Sequence, residues 1–305
     1  MAGKRVKMII NPNADMGNAW RQAADLRPIV EEHGGADWAG TVYPTHANEL
    51  AHQAGLQGYD LVIAVGGDGT VHEVINGLMR LPAGKRPKFG VVPLGSGNDF
   101  AHAAGVESSP DLALKQALTG RPRKIDIGVI EDEHGRKEYW DNSVNIGFGG
   151  SVNIYSHSHP RLRGFLMYLV AVLEVMVSRY DVLPMQIVSD GKKWEDELMM
   201  LAVCNGPREG GGFSVAPEAR LDDGLLQYTC VRKVSRPMML RLLPEVMNGT
   251  HGRFRQVRMG QFRTMQVQTD RPVVVHIDGE IFSGFGMRTD HLAVELLPGA
   301  LEVMV

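Results

Sequence analysis

Cysteine is scarce in this chain of 305 residues, which has only Cys204 and Cys230 and no Cys-x-x-Cys motif. A disulfide-stabilised secreted scaffold is therefore disfavoured, because such scaffolds need several paired cysteines. The beginning of the sequence also lacks the basic segment and following apolar segment of an export signal. We expect a protein of the reducing cytoplasm.

Long apolar runs are lacking too. The longest extends from Phe165 to Val177, is interrupted by Glu174, and is shorter than the roughly 20 residues that a membrane-spanning helix needs. It predicts a buried helix or a helix lying on a surface. Because Arg161-Leu162-Arg163 precedes it, two interpretations are open: docking on an anionic bilayer, or a helix covered by its own domain.

An excess of positive charge is also absent, since 32 Lys and Arg residues face 35 Asp and Glu residues, for a net charge of -3. This balance argues against nucleic acid as a partner. The hydrophobic share of 44% and the charged share of 22% are those of a globular protein. The chain is long enough for two domains. One stretch, Val231 to Arg271, is basic and could face an anionic partner, with Arg232, Lys233, Arg236, Arg241, Arg253, Arg255, Arg258, Arg263 and Arg271 against Glu245 and Asp270.

The first 130 residues alternate between strand-like and helix-like segments, which predicts a parallel sheet. Apolar runs at Val6 to Ile10, Leu61 to Val65 and Phe89 to Val92 indicate strands. After Thr70, apolar residues recur with the spacing of an amphipathic helix. Beyond about residue 130 the chain changes to short β-like stretches with two helical stretches, which predicts a β-rich second domain.

Two glycine-rich loops follow two of the predicted parallel strands. The first is Gly66-Gly67-Asp68-Gly69-Thr70 and the second is Gly95-Ser96-Gly97-Asn98-Asp99. A glycine turn between a strand and a helix lets backbone N–H groups approach a phosphate. The first loop is neither a Walker A motif nor GxGxxG, and by itself a tight structural turn is the alternative.

The two loops together strengthen the phosphate interpretation, because loops after neighbouring parallel strands can converge at one crevice. Asp68 and Asp99 would then lie beside the same triphosphate. Carboxylates near a triphosphate imply a divalent cation between them, since like charges otherwise repel. The sequence therefore predicts a Mg-nucleotide site.

The order of the motifs resembles the diacylglycerol kinase catalytic family, including its soluble bacterial lipid kinases. The resemblance rests first on the two loops, with Asn76 after the first and Phe100 after the second. It continues through later blocks over nearly the whole chain: Gly210-Gly211-Gly212, Ala216-Pro217, Leu221-Asp222-Asp223-Gly224-Leu225-Leu226 and His276-Ile277-Asp278-Gly279-Glu280. It implies an α/β fold of two domains, a phosphofructokinase-like (Rossmann-like) nucleotide domain and a β-sandwich domain. We expect the ATP-binding domain at residues 1–130 with a returning tail at 289–305, and the lipid-substrate domain at 131–288.

The resemblance also implies roles for particular residues, with ATP as co-substrate and Mg²⁺ as the metal. Glu280 would be the general base, and Asp68, Asp99 and Asp126 would surround the catalytic magnesium. A second, structural magnesium would be bound by the Asp223 side chain and the backbone carbonyls of Arg220 and Leu225. The implied ATP contacts are Asn11, Thr45, Gly66, Gly67, Asp68, Gly69, Thr70, Val71, His72 and Ser96.

Two of these motifs have a structural alternative, because Asp-Gly between apolar stretches is a hairpin signal. Asp278-Gly279 and Asp223-Gly224 could each be only a turn. The chain also departs from the family pattern at Asn11-Pro12-Asn13, where a Ser-Gly pair commonly follows Asn-Pro. At Ser96 the family usually has threonine, and the hydroxyl is kept.

The function implied is transfer of the γ-phosphate of ATP to the hydroxyl of diacylglycerol or a related lipid. Glu280 suits the base role better than Asp278, since a lipid hydroxyl is a poor nucleophile that needs a proton acceptor. Two rivals are an NAD kinase, which shares the Gly-Gly-Asp-Gly loop, and a catalytically silent lipid- or nucleotide-binding regulator. We expect a cytoplasmic protein that visits the inner membrane face to reach its lipid, with a homodimer left open.

Overall fold

The computed structural model describes residues 4–158, 162, 164–178 and 181–305. The chain divides into two compact units, the first made of Met1–Ile127 and Pro298–Val305 and the second of Gly128–Leu297. The sequence placed the first boundary at 130 and the return of the tail at 289. The return comes later because the tail strand β15 (His291–Met304) pairs along its first part with β12 (Thr264–Thr269) of the second unit.

The first unit is a parallel sheet with helices between its strands, which confirms the predicted α/β class. Its strands follow the order β4-β3-β1-β2, and the end of β15 adds in parallel beside β4 at Val303 and Phe89. The apolar run Leu61 to Val65, predicted as a strand, is buried throughout. The strands are β1 (Val6–Ile10), β2 (Asp37–Gly40), β3 (Leu61–Gly66) and β4 (Lys88–Pro93); the helices are α1 (Ala19–Asp25), α2 (Arg27–Glu32), α3 (His46–Leu56), α4 (Asp68–Met79), α5 (Asp99–Ala104) and α6 (Pro110–Thr119).

Helices α3 and α4 pack at a glycine contact. A Cβ on Gly77 of α4 would lie 2.8 Å from Cβ of Ala51 in α3 and even closer to the Asn48 carbonyl oxygen. The carboxylate of Glu73 in α4 also accepts the N–H groups of Thr45 and Ala47, at 2.9 and 3.0 Å. This carboxylate satisfies donors that the first turn of a helix leaves unpaired. The beginning of α3 is therefore fixed to α4.

The second unit is rich in β-strands, as the sequence predicted, and these strands pair antiparallel. Its central order is β14-β13-β7-β9-β8-β12-β15, and β10 pairs with β9 and β11. A core cluster that includes Trp140, Ile187 and Phe262 fills it. The strands are β5 (Pro122–Asp132), which begins in the first unit, β6 (Lys137–Trp140), β7 (Ser143–Gly147), β8 (Leu183–Ser189), β9 (Lys192–Cys204), β10 (Leu226–Arg232), β11 (Val257–Phe262), β12, β13 (Val275–Ile277), β14 (Glu280–Ser283) and β15.

Within the described residues this unit has three α-helices, whereas the sequence predicted two helical stretches. They are α7 (Phe148–Ser156), α8 (Gly164–Ser178) and α9 (Arg236–Met247). Helix α7 contains two glycines, Gly149 and Gly150, and four β-branched or aromatic residues, which are poor helix formers. Tertiary packing therefore specifies it.

No helix within the described ranges combines the length and the apolar character needed to cross a membrane. Helix α8 contains the whole predicted apolar run, Phe165 to Val177, but has 15 residues. Arg161 and Arg163, on which part of the bilayer-docking interpretation depended, lie outside the described residues.

Candidate active site

The structure brings the two glycine loops into direct backbone contact. Gly66 ends β3 and Gly67 precedes α4. A Cβ on Gly67 would lie 3.0 Å from Cα of Gly95, and a Cβ on Gly95 would lie under 3.0 Å from Cα of Gly67. Side chains are thus excluded where the loops meet, and backbone is what a bound phosphate would encounter there.

Asn98 holds the second loop in shape. It adopts a left-handed conformation with φ 51°, which asparagine tolerates better than most residues. Its Oδ1 accepts the N–H of Gly95 at 3.0 Å, and its Nδ2 donates to the Gly95 carbonyl at 2.9 Å. Asn98 belongs to the predicted glycine-rich loop, but the sequence indicated no role for it.

Asp68 and Asp99 lie at the first residues of α4 and α5. Oδ1 of Asp68 accepts the N–H of Phe100, the residue after Asp99, at 3.3 Å. Both carboxylates thus belong to one small region where the loops meet. Negative charge is favoured at a helix N-terminus, and oxygen donors of this kind suit a magnesium ion.

The side chains of Thr70, Val71 and His72 are buried in the first turns of α4. Oγ1 of Thr70 has no hydrogen-bond partner among the described residues and lies where a Cβ on Gly66 would collide with it. His72 lies next to Asn76, whose Nδ2 is 3.2 Å from its Nε2. A role of these residues in binding ATP stays a prediction.

Asn11 and Thr45 lie in turns attached to the same region. The N–H of Asn11 donates to the Val65 carbonyl at 3.1 Å, one residue before Gly66, and its Oδ1 accepts the N–H of Asn13 at 3.0 Å. Thr45 has φ 70°, which is unusual for a β-branched residue and costs of order 1–3 kcal/mol. Such strain is concentrated at functional sites.

Ser96 and Asp126 have different surroundings. Ser96 is exposed in the second loop. Asp126 is buried in β5, and its Oδ1 accepts the N–H of Gly299 at 2.7 Å. That hydrogen bond joins the returning tail to the first unit. A magnesium role for Asp126 stays a prediction.

In the second unit, Asp278-Gly279 is the two-residue turn of a hairpin between β13 and β14, as the structural alternative predicted. Both residues have positive φ, 49° and 91°, as a type I′ turn requires. The buried Asp278 carboxylate accepts the N–H groups of Asp141, Asn142 and Ser143 at 2.9, 3.0 and 2.8 Å. Asp278 therefore anchors the turn, while Glu280 is exposed at the start of β14.

The burial of His276, in the strand before this turn, predicts that the free energy of unfolding depends on pH. Burial lowers the pKa of His276 to about 4, against the opposing charge of Asp278. Below pH 6.5 the unfolded chain binds more protons at this histidine than the folded chain does. The histidine therefore leaves the free energy of unfolding undiminished above pH 6.5 and lowers it as the pH falls towards 4. The decrease amounts to about 2 kcal/mol between pH 7.5 and 5.0.

Urea unfolding at those two pH values should therefore show a smaller decline for His276→Gln than for the wild-type chain. The glutamine variant is the control for every other titrating group. An equal decline in both proteins would contradict the assignment.

The Asp223 loop is a turn that leads into β10. Oδ1 of Asp223 accepts the N–H of Leu225 at 3.0 Å, and Gly224 has φ 72°. Nε of Arg220 lies 3.6 Å from Oδ1 of Asp222, so the charged head of Arg220 has its own partner. The carboxylate and the carbonyls of this turn are hard oxygen donors, a donor set that fits magnesium.

Comparison with known proteins agrees with this architecture. Residues 5–130 match the diacylglycerol kinase catalytic domain, and residues 142–305 match the YegS C-terminal NAD kinase beta sandwich-like domain. A probable lipid kinase YegS-like protein of Chromohalobacter salexigens is 35% identical over 83% of this chain and 78% of its own length. A diacylglycerol kinase of Bacillus subtilis is 29% identical over 91% of this chain and 90% of its own length.

Among solved structures, a putative diacylglycerol kinase from Bacillus anthracis has the same fold, with a TM-score of 0.81 at 24% identity over 99% of this chain and 95% of its own. The two matched domains are those of a kinase family. The chain belongs to the family of lipid kinases that join a diacylglycerol kinase catalytic domain to a YegS-type β-sandwich domain. Membership of this kinase family implies the use of ATP.

Proposed function

We propose that the chain transfers the γ-phosphoryl group of ATP to the hydroxyl of diacylglycerol or a related lipid, giving phosphatidic acid or an analogous lipid phosphate. The observation that carries the proposal is the contact of the two glycine loops, which gathers Asp68 and Asp99 at one place. In a lipid kinase, that place suits the triphosphate.

The residues of the first unit would bind the nucleotide. The loop Gly66 to His72, with Asn11, Thr45 and Ser96, would contact ATP. Asp68, Asp99 and Asp126 would hold magnesium, and Asp223 with the carbonyls of Arg220 and Leu225 would hold a second, structural ion. A magnesium ion held by the first set of carboxylates would supply positive charge to offset that of the phosphates.

Glu280 would act as the general base. Its carboxylate accepts the proton of the lipid hydroxyl, while an electron pair of that oxygen forms the bond to the γ-phosphorus. The bond between the γ-phosphorus and its bridging oxygen breaks, and ADP leaves with that electron pair. The net reaction converts a lipid alcohol and ATP to a lipid phosphate, ADP and a proton.

The test is phosphorylation of a panel of lipid alcohols in mixed micelles with labelled ATP and magnesium, and with mass detection of products. Diacylglycerol, monoacylglycerol, a sphingoid base and NAD would be compared. We expect at least one lipid to be phosphorylated and NAD to be unchanged. NAD is included because residues 142–305 match a domain that is named for its likeness to the β-sandwich of NAD kinase. Phosphorylation of NAD alone, or ATP binding without any turnover, would reject the proposal.

We also propose that an apolar stripe on α8 docks on the membrane that holds this lipid. Leu166, Leu173 and Val177 are 53%, 40% and 73% exposed, and their spacing places them on one face of the helix. Leu240 of α9 is 55% exposed. Arg236 of α9 donates to the carbonyls of Met176 and Val177 at 3.0 and 3.1 Å, so basic charge lies beside the stripe. An exposed apolar face with adjacent arginine fits an anionic bilayer.

The double variant Leu173→Glu/Val177→Glu should bind vesicles of equal phosphatidylcholine and phosphatidylglycerol at least tenfold more weakly, because burying one such side chain is worth about 1.5–3 kcal/mol. Sedimentation with the vesicles measures this. Leu112→Glu is the matched control, since Leu112 is 50% exposed on helix α6 of the first unit. Equal binding of both variants would contradict the docking assignment.

A further inference from the structure

Helix α7 packs without intervening side chains against the strand that leads to Glu280. A Cβ on Gly150 would lie 2.7 Å from the Val274 carbonyl oxygen, just before β13. A Cβ on Gly149 would lie 2.7 Å from Cβ of Asn145 in β7. The two glycines therefore set the helix at a separation from β7 and β13 that larger residues would not allow.

This close packing brings Asn153 of α7 to the Asp278-Gly279 turn. Asn153 is fully buried, and its Nδ2 donates to the Gly279 carbonyl at 2.7 Å. Only the NH₂ end of the amide can donate to a carbonyl, so the contact fixes which way the amide points. Its Oδ1 is buried with no hydrogen-bond partner among the described residues, an arrangement that costs free energy.

The turn is thus held from two sides. Asp278 accepts three backbone N–H groups from residues 141–143, and Gly279 accepts from Asn153. The Gly279 carbonyl belongs to the same planar peptide as the N–H of Glu280. Fixing that carbonyl therefore fixes the peptide plane that leads into Glu280, and with it the position of the Glu280 Cα from which the side chain departs.

We propose that Asn153 is a positioning residue for the general base. This inference rests on the proposed role of Glu280. Asn153 acts through the Gly279 peptide, and its own amide is buried away from solvent. A misplacement of about 1 Å at a reacting group can cost about a hundredfold in rate, so one hydrogen bond to this peptide can govern turnover.

The test compares Asn153→Ala with Thr229→Val as a matched control. Thr229 is also buried in the second unit, and its Oγ1 donates to a backbone carbonyl, that of Val215, at 2.8 Å. Both variants lose one buried hydrogen bond to a carbonyl. We expect Asn153→Ala to lower kcat by 10- to 100-fold with KM for ATP within twofold of wild type, and Thr229→Val to leave kcat within twofold. Asn153→Leu, which keeps the approximate shape of the side chain and has no donor, replaces the alanine variant if that one does not fold.

A double-mutant cycle with Glu280→Gln separates positioning from a general loss of structure. When the base is already removed, Asn153→Ala should lower the remaining rate by less than twofold. An undiminished kcat in folded Asn153→Ala or Asn153→Leu, or an equal loss in both backgrounds, would overturn the inference. If Glu280→Gln itself keeps wild-type turnover, the base assignment fails. If Glu280→Gln is inactive and Asn153→Ala is normal, only the positioning inference fails.

Discussion

Replacing Gly95 with alanine should weaken ATP binding at least tenfold and reduce turnover more than a hundredfold. The added Cβ would lie under 3.0 Å from Cα of Gly67 and 2.8 Å from Oδ1 of Asn98. Neither neighbour is the flexible end of a long side chain, so the two loops must move apart. Overpacking of this kind costs about 1–3 kcal/mol, and here it also displaces the backbone that would face the phosphates.

Calorimetric titration with Mg-ATP and thermal unfolding would measure the two effects separately. Gly84→Ala is the matched control, because a Cβ at Gly84 meets nothing within 4 Å. Gly67→Ala should have a smaller effect than Gly95→Ala, since its nearest contact is 3.0 Å, with Cα of Gly95. Wild-type ATP affinity in a folded Gly95→Ala protein would show that the loop contact is not part of the nucleotide site.

The convergence of the two loops could be predicted from the sequence for a definite physical reason. Each loop follows an apolar run that ends at glycine or proline, and such runs form buried parallel strands. Because β3 and β4 are neighbours in the sheet, their carboxyl ends share one edge, and the loops meet there. In this part of the chain, the local sequence pattern and the sheet topology both predict that the two loops meet.

The hydrogen bonds that hold the second glycine loop and the neighbouring start of α3 could not be predicted, because they depend on the folded conformation. Glu73 caps the beginning of α3 across 28 and 26 positions, and no local motif indicates it. Asn98 lies inside a recognised motif, yet its two hydrogen bonds to Gly95 require the left-handed conformation seen in the fold. In the sequence, only the run Gly-Ser-Gly-Asn, which is typical of a turn, indicated this loop conformation.

Helix α7 and the returning tail show the same limit of local reasoning. The helix contains two glycines where its packing needs them, which lowers its helix propensity and conceals it in the sequence. The tail was predicted to return at 289, but residues up to Leu297 stay with the second unit because β15 extends the pairing with β12. A long strand shared by two units has no sequence signal at the point where it changes unit.

Glu280→Gln should lower kcat by about 10²- to 10⁴-fold, the range expected when a general base is removed. Glutamine keeps the size and polarity of the side chain but cannot accept the proton of the lipid hydroxyl. Because Glu280 is exposed, the substitution should leave the midpoint of thermal unfolding unchanged. KM for ATP should also stay within twofold, since the carboxylate acts on the acceptor.

Two further substitutions make the result specific to Glu280. Glu295→Gln removes an exposed carboxylate from β15 of the same unit and should leave turnover unchanged. Asp278→Asn should lower the unfolding midpoint as well as kcat, because this carboxylate accepts three backbone N–H groups that an amide oxygen satisfies less well. The contrast separates a residue that performs the chemistry from one that holds the turn. Wild-type turnover in Glu280→Gln would assign the proton acceptor to another group, and a loss of stability there would mean that the glutamate, like Asp278, holds the hairpin.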